Sequence, residues 1–413
     1  MSAESNTTST ATKIDEATRL LEEVKRALQA AIDAGTSISS MAEVIEGLKF
    51  QPRGGIKLAP KDVMQKKVTK HLCSTLQKEL DKIRITRNFN PKEWIEKRSR
   101  EFLEYFEKCK LKVAVISVSG GVDSSVITAI LKYSQHLATT LEEYSAHPFN
   151  IRNGGMIVAV AQPIDSTPEI QNRAYELVET LFGITLDENK CYQPEKPEDV
   201  QGIHFFTVDQ TLEHEIKLAR FKRTGGKYFK GWASSMGKSY MRTVTAYMKA
   251  LEYGGVVIGT GNLDEDGYLF YFCKFGDGAV DVGLIWDLHK SEVFMMGRYL
   301  GVPESILIAP PSADLAPGQT DENEIGSTYD MIELVYNYIE LWNNQQRREF
   351  LERISEDPEA LQQFFEEKKL IEAIHNRGLH KADINPKNMG KFQFPNNEAD
   401  MERKALESEF YQL

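Results

Sequence analysis

Residues 113–126 read VAVISVSGGVDSSV, and the rest of the chain is best understood outward from them. Val113 to Val118 is an apolar, β-branched run with the length of a strand buried on both faces. Ser119-Gly120-Gly121 interrupts it. Apolar residues then return at helical spacing (Val126, Ile127, Ile130, Leu131), so a helix follows. A strand, a glycine turn and a helix together form an anion site. The glycines let the backbone approach closely, and the first N–H groups of the helix point at the anion. Asp123 stands where it can hold a cation bound to that anion. The plainer reading is an ordinary Gly-Gly turn before a helix. An aspartate and two serines at fixed places weigh against it.

The loop is not the common GxxxxGK[ST] phosphate loop, since no lysine follows the glycines. SGGVDS resembles instead the pyrophosphate loop of the ATP pyrophosphatases, which cut ATP between its α- and β-phosphates. On either side of the loop, strands and helices alternate. Met156 to Val160 and Gly255 to Gly259 read as strands. Pro91 to Cys109, Pro168 to Phe182, Lys290 to Leu300 and Tyr329 to Trp342 read as helices. Such alternation predicts an α/β fold: a doubly wound, mostly parallel sheet with helices on both faces. Ligands then bind beyond the carboxyl ends of the strands, where the glycine turn lies.

The flanks differ. Residues 1–12 are Ser/Thr-rich and read as disordered. Ile14 to Ala34, Met41 to Leu48 and Lys61 to Arg87 read as helices around a Pro/Gly loop at 51–60. This predicts a helical arm over 1–87, a nucleotide-binding domain over 88–345 and a helical to irregular extension over 346–413. Within the domain the pattern weakens between Lys190 and Lys238. Lys217, Arg220, Lys222, Arg223, Lys227 and Lys230 there suit either a lid that meets phosphates or a solvated loop.

The net charge of −11 over 413 residues argues against nucleic acid as a partner. The four cysteines are scattered, with no CxxC pair. No apolar run reaches the roughly 18–20 residues of a membrane span, and the polar start lacks a signal-peptide core. The expectation is a soluble, cytoplasmic protein with no membrane partner.

Two further stretches carry chemistry. GTGNLDED, residues 259–266, follows a strand, and its carboxylates can join Asp123 on Mg²⁺, a cation that prefers oxygen. KFGDGAVD, residues 274–281, sets a tight loop beside Lys274. That lysine suits a phosphate, and Asp281 suits a ribose or base. Lys290 opens a helix, where a cation opposes the dipole, so its placement points to function.

With PPSADL (310–315), TDENEIG (320–326) and TYD (328–330) in this order, residues 88 to 342 resemble the NAD⁺ synthetase family. The resemblance implies ATP-dependent amidation of deamido-NAD⁺ by ammonia, releasing AMP and pyrophosphate, in a homodimer. It places Ser117, Val118, Ser119, Gly120, Gly121, Val122, Asp123, Ser124, Thr260, Lys290 and Ser312 around ATP. Arg242, Lys274, Asp281, His380 and Lys381 fall on deamido-NAD⁺. Asp123 and Glu265 fall on Mg²⁺, with Asp264 and Asp266 as rival ligands. Asp123, Lys274 and Lys290 are the implied catalytic groups. Glutamine-using members carry an amidase domain ahead of the synthetase. The helical residues before the loop suggest none here, so direct use of ammonia is expected. The alternatives are another ATP pyrophosphatase or a non-catalytic nucleotide sensor.

Overall fold

A computed structural model describes residues 71–194, 201–223, 232–315, 318–382 and 398–411. The expected elements before residue 71, and Lys227 and Lys230 of the cationic stretch, lie outside them. In chain order the described elements begin with α1 (Ser74–Arg87), α2 (Pro91–Cys109), β1 (Val113–Ser117) and α3 (Val122–Thr140). Then come β2 (Met156–Ala161), α4 (Pro168–Phe182), β3 (Ile203–Thr207), α5 (Thr211–Arg223) and α6 (Trp232–Tyr253). β4 (Val256–Asn262) runs into a π-helical turn (Leu263–Leu269) and is followed by β5 (Val282–Ile285). The helices α7 (Lys290–Leu300), α8 (Glu304–Leu307), α9 (Asp321–Ile325) and α10 (Tyr329–Tyr336) come next. Last are α11 (Asn344–Ser355), α12 (Pro358–Gly378) and α13 (Glu398–Phe410).

The strands form one parallel sheet in the order β3-β2-β1-β4-β5. The direction of winding reverses between β1 and β4. The loops leaving these two strands therefore part, and a crevice opens at their carboxyl ends. The glycine loop sits at that switch point. Both sheet faces are covered. Ala114 and Ile116 of β1 pack toward α2, α3, α4 and α7, and Val113 and Val115 pack toward α6.

Local chemistry explains the better-read boundaries. Asn90 accepts from the Lys92 and Glu93 N–H groups (3.1 and 3.4 Å), and Pro91 takes the first turn of α2. Gly301 closes α7 in the left-handed region at φ 75°. Other expectations need correction. The stretch 190–238 contains β3, α5 and the start of α6. Residues 346–373 form two helices, because Asp357 caps a new one from its side chain at Pro358. Tyr329 to Trp342 is α-helical only to Tyr336 and then widens into a π turn.

A separate apolar core joins α1 to the C-terminal helices. Leu76, Leu80 and Ile83 pack with Tyr268, Tyr329, Met331, Phe350 and Phe364. The described part of the arm is thus bound into the same body as residues beyond 345.

Candidate active site

The glycine loop is held by its own serines. Ser119 Oγ lies 3.0 Å from Ser124 Oγ and accepts from the Gly121 N–H (3.1 Å). Gly120 has φ 78°, and a Cβ there would lie 2.5 Å from the Ile170 carbonyl oxygen of α4. No other residue fits this turn without strain. Arg173 of α4 emerges beside it and lines the same cavity, with its Nε buried and without a hydrogen-bond partner. Sequence reasoning missed this cation, because nothing local to Arg173 signals that α4 packs on the loop.

Across the switch point, Asn262 at the end of β4 ties two motifs together. Its Nδ2 donates to Asp123 Oδ1 (2.9 Å), and its Oδ1 accepts from the Glu265 N–H (3.0 Å). Between Asp123 and Glu265 lies Lys290, only 2% exposed. Its ammonium donates to Asp123 Oδ2 (2.6 Å) and Glu265 Oε1 (2.8 Å). The Tyr329 hydroxyl donates to the same Glu265 oxygen (2.5 Å), and its ring centre lies 4.9 Å from the ammonium. Burial opposes the charge on Lys290, but Asp123 and then Glu265 overcome it and raise its pKa. Burial raises Asp123 despite Lys290, and Lys290 holds Glu265 down against burial. The cluster is one cation shared by two carboxylates.

The rival ligands separate by position. Asp264 is fully buried and accepts from His289 Nδ1 and the Lys290 N–H, both at 2.7 Å. It caps α7 from outside and offsets the cost of opening that helix with a lysine. Asp266 lines the cavity. A Cβ on Gly261 would lie 1.9 Å from its Oδ2, so the glycine makes room for that carboxyl. Burial, then Asp277, push Asp266 well above the usual carboxylate range.

The crevice is a cavity of about 740 Å³ that reaches from this cluster to α6 and the chain near residue 380. Of the expected residues, Ser117, Ser119 to Ser124, Thr260, Glu265, Ser312, Arg242, His380 and Lys381 line it. Val118 lies behind the loop, in a small adjoining pocket. Arg242 reaches the Gln162 and Ala313 carbonyls (3.2 and 3.4 Å), and burial lowers its pKa. Lys290 is sealed behind Asp123 and Glu265, whose carboxylates line the cavity in its place. Two other expected residues are not brought in. Asp281 accepts from the Val257 N–H (2.7 Å) and Tyr247 hydroxyl (3.3 Å), on the flank of β4 away from the cavity. Lys274 points to the His380 carbonyl (3.1 Å), beside the cavity rather than in its wall. Asp277, four residues before the expected Asp281, does face it, held by Ser239 Oγ (2.6 Å).

The NAD synthase family model matches residues 202–374. An NH(3)-dependent NAD(+) synthetase of Mesoplasma florum is 32% identical over 267 residues, covering 62% of this chain and 93% of its own. This chain belongs to the NAD synthase family. A relative of the same description from Alkaliphilus metalliredigens is 38% identical over 275 residues, 66% of this chain and 88% of its own. Among solved structures, NMN synthetase from Francisella tularensis superposes with a TM-score of 0.52 at 26% identity. It covers 73% of this chain and 99% of its own.

Asp321 completes the cluster, accepting from the Ala313 N–H (3.2 Å), with its Oδ2 3.3 Å from the Tyr329 hydroxyl oxygen. Burial and then Glu265 push it up to about 7. Its folded pKa thus lies above its unfolded value of 3.8. The native state binds a proton the unfolded chain lacks, and stability falls as pH rises from near 4 to near 7. Urea denaturation without nucleotide, at about pH 5 and about pH 8, should show a steeper loss for the wild type than for Asp321→Asn. Equal pH slopes would reject the assignment.

Proposed function

We propose that the chain amidates deamido-NAD⁺ with ammonia at the expense of ATP. The observation that carries this is the Lys290 ammonium clasped between Asp123 of the glycine loop and Glu265 after β4. The substrate carboxylate oxygen attacks the α-phosphorus, the bond to the β-phosphate breaks, and pyrophosphate leaves. Ammonia then attacks the activated carbonyl, the bond to AMP breaks, and the nitrogen loses a proton. The loop N–H groups, Arg173 and Lys290 neutralise the leaving pyrophosphate, and Arg242 meets the anionic acceptor. No covalent bond to the protein is needed.

Asp123 and Glu265 suit Mg²⁺, because one oxygen from each already converges on a single cation, the ammonium of Lys290. Among the described residues no cluster of three or more metal-ligating side chains occurs. Such an ion would take the rest of its shell from phosphate oxygens and water. When bound, Mg²⁺ supplies positive charge to the departing pyrophosphate.

The test is incubation with ATP, deamido-NAD⁺ and ammonium. Equal amounts of AMP and NAD⁺ are expected; ADP, or no turnover, would overturn the reading. The Francisella protein is named for NMN, so nicotinate mononucleotide belongs in the same assay as a second acceptor.

The proposed homodimer has support on α6. Tyr240, Val244, Met248 and Leu251 form one exposed apolar stripe, beside exposed Leu212 and Ile216 of α5. Such a stripe calls for cover, and a second copy meeting it about a two-fold axis buries it on both sides. Met248→Asp should halve the mass seen by sedimentation. A wild-type monomer at micromolar concentration would end this part of the reading. Among the described residues no helix is long and apolar enough to cross a membrane.

A further inference from the structure

Two carboxylates behind the cluster are sealed from solvent: Glu292 at 3% and Glu333 at 1% exposure. Neither lines the cavity. Glu292, in the first turn of α7, accepts from the His289 N–H (3.0 Å). Glu333 of α10 accepts from Ser291 Oγ (2.9 Å). The two therefore hold the chain immediately before and after Lys290.

A buried carboxylate needs a counter-charge. Here both counter-charges come from the arm helix. Arg87 grips Glu292 through Nε and Nη2 (the latter at 2.8 Å), and the same Nη2 reaches the Asp287 carbonyl (2.8 Å). Arg84 grips Glu333 through Nε (3.2 Å) and Nη2 (2.7 Å), and adds Asp330 at 2.6 Å. Asp330 and Glu333 lie within one turn of Tyr329, whose hydroxyl is on Glu265. One helix thus fastens both elements that frame the cluster: α7, which carries Lys290, and α10, which carries Tyr329. Forked arginine–carboxylate pairs fix direction as well as charge.

We propose that α1 is a positioning element for the reaction, with Arg87 and Arg84 setting, through Glu292 and Glu333, how Lys290 and Tyr329 hold the Asp123 and Glu265 carboxylates that face the cavity. This rests on the function proposed above in taking Asp123 and Glu265 as the pair that faces the phosphates and their cation. α1 is then a part of the active centre that never touches substrate. A displacement of about 1 Å in such a group is enough to cost on the order of 100-fold in rate.

The test is a double-mutant cycle on the full chain. Arg87→Ala should lower kcat about 30-fold while leaving the KM for deamido-NAD⁺ unchanged. In a Lys290→Met background, followed over long incubations, it should lower kcat no further. A residue that merely supports the fold would cost the same factor in both backgrounds, and that outcome overturns the proposal, as does an unimpaired Arg87→Ala. If Arg87→Ala does not fold, Arg87→Lys, which keeps the charge and loses the fork, carries the same cycle with a smaller expected loss. Wild-type turnover, measured alongside, judges the proposed function separately.

Discussion

Asp123→Asn should lose at least about 1,000-fold in AMP formation while its melting temperature holds or rises. The two effects have one source. Asp123 is a carboxylate whose charge burial disfavours, against the opposing pull of Lys290 at 2.6 Å and of the Asn262 amide at 2.9 Å. Asparagine retains the shape and an acceptor for Asn262, and removes the charge that burial makes costly. The fold therefore loses little, as is usual where a site is built against stability. The reaction loses much. The loop keeps its N–H groups, but one of the two oxygens that converge on a cation is gone. Lys290 is then shared between fewer anions and settles on Glu265. The measurement is AMP release with ATP, deamido-NAD⁺ and ammonium at saturating Mg²⁺, beside a thermal melt. Full turnover at ordinary Mg²⁺ would remove Asp123 from the mechanism.

How far a sequence exposes such a site depends on the range of each interaction. The loop, the GTGNLDED turn and the start of α7 are local, and their residue types report their jobs. α2, α4 and α7 run between the boundaries read from Asn90-Pro91, Pro168 and Gly301, because capping and proline act over a few residues. β3 and β5 were hidden for a different reason. IHFFT is a short edge strand with a half-buried histidine, and VGLI is only four residues long. Neither has a period to detect. Asp281 was read as a ligand contact from its loop, yet the β4 backbone claims its carboxylate; composition does not reveal which of Asp277 and Asp281 turns inward. The arm was least legible. Arg84 and Arg87 look like ordinary charges at a helix end, and their partners lie 249 and 205 positions away. Exposed helix charge and buried anchor look alike until the chain is folded.

Lys290→Met should be both severely slowed and fragile, and its fragility should depend on pH. Removing one charge-stabilising donor costs about 100- to 1,000-fold in rate. Breaking a buried ion pair by deleting one partner costs about 3–5 kcal/mol, because the other partner stays buried and charged. Here the stranded partners are Asp123 and Glu265, with Asp321 beside them. Without the ammonium, their folded pKa values move up, since only burial and mutual repulsion remain. For an acid so raised, stability is present at low pH and is lost as pH rises through the folded pKa. The variant should therefore approach wild-type stability near about pH 5 and fall furthest behind near about pH 8. Adding Asp123→Asn to Lys290→Met should restore part of the lost stability, because one stranded charge is removed, and should restore no activity. The two substitutions touch the same contact, so their effects on stability should not add. Urea denaturation of the four proteins at both pH values measures this. Additive losses, or a Lys290→Met protein equally unstable at both pH values, would mean that the ammonium does not hold the carboxylate cluster together.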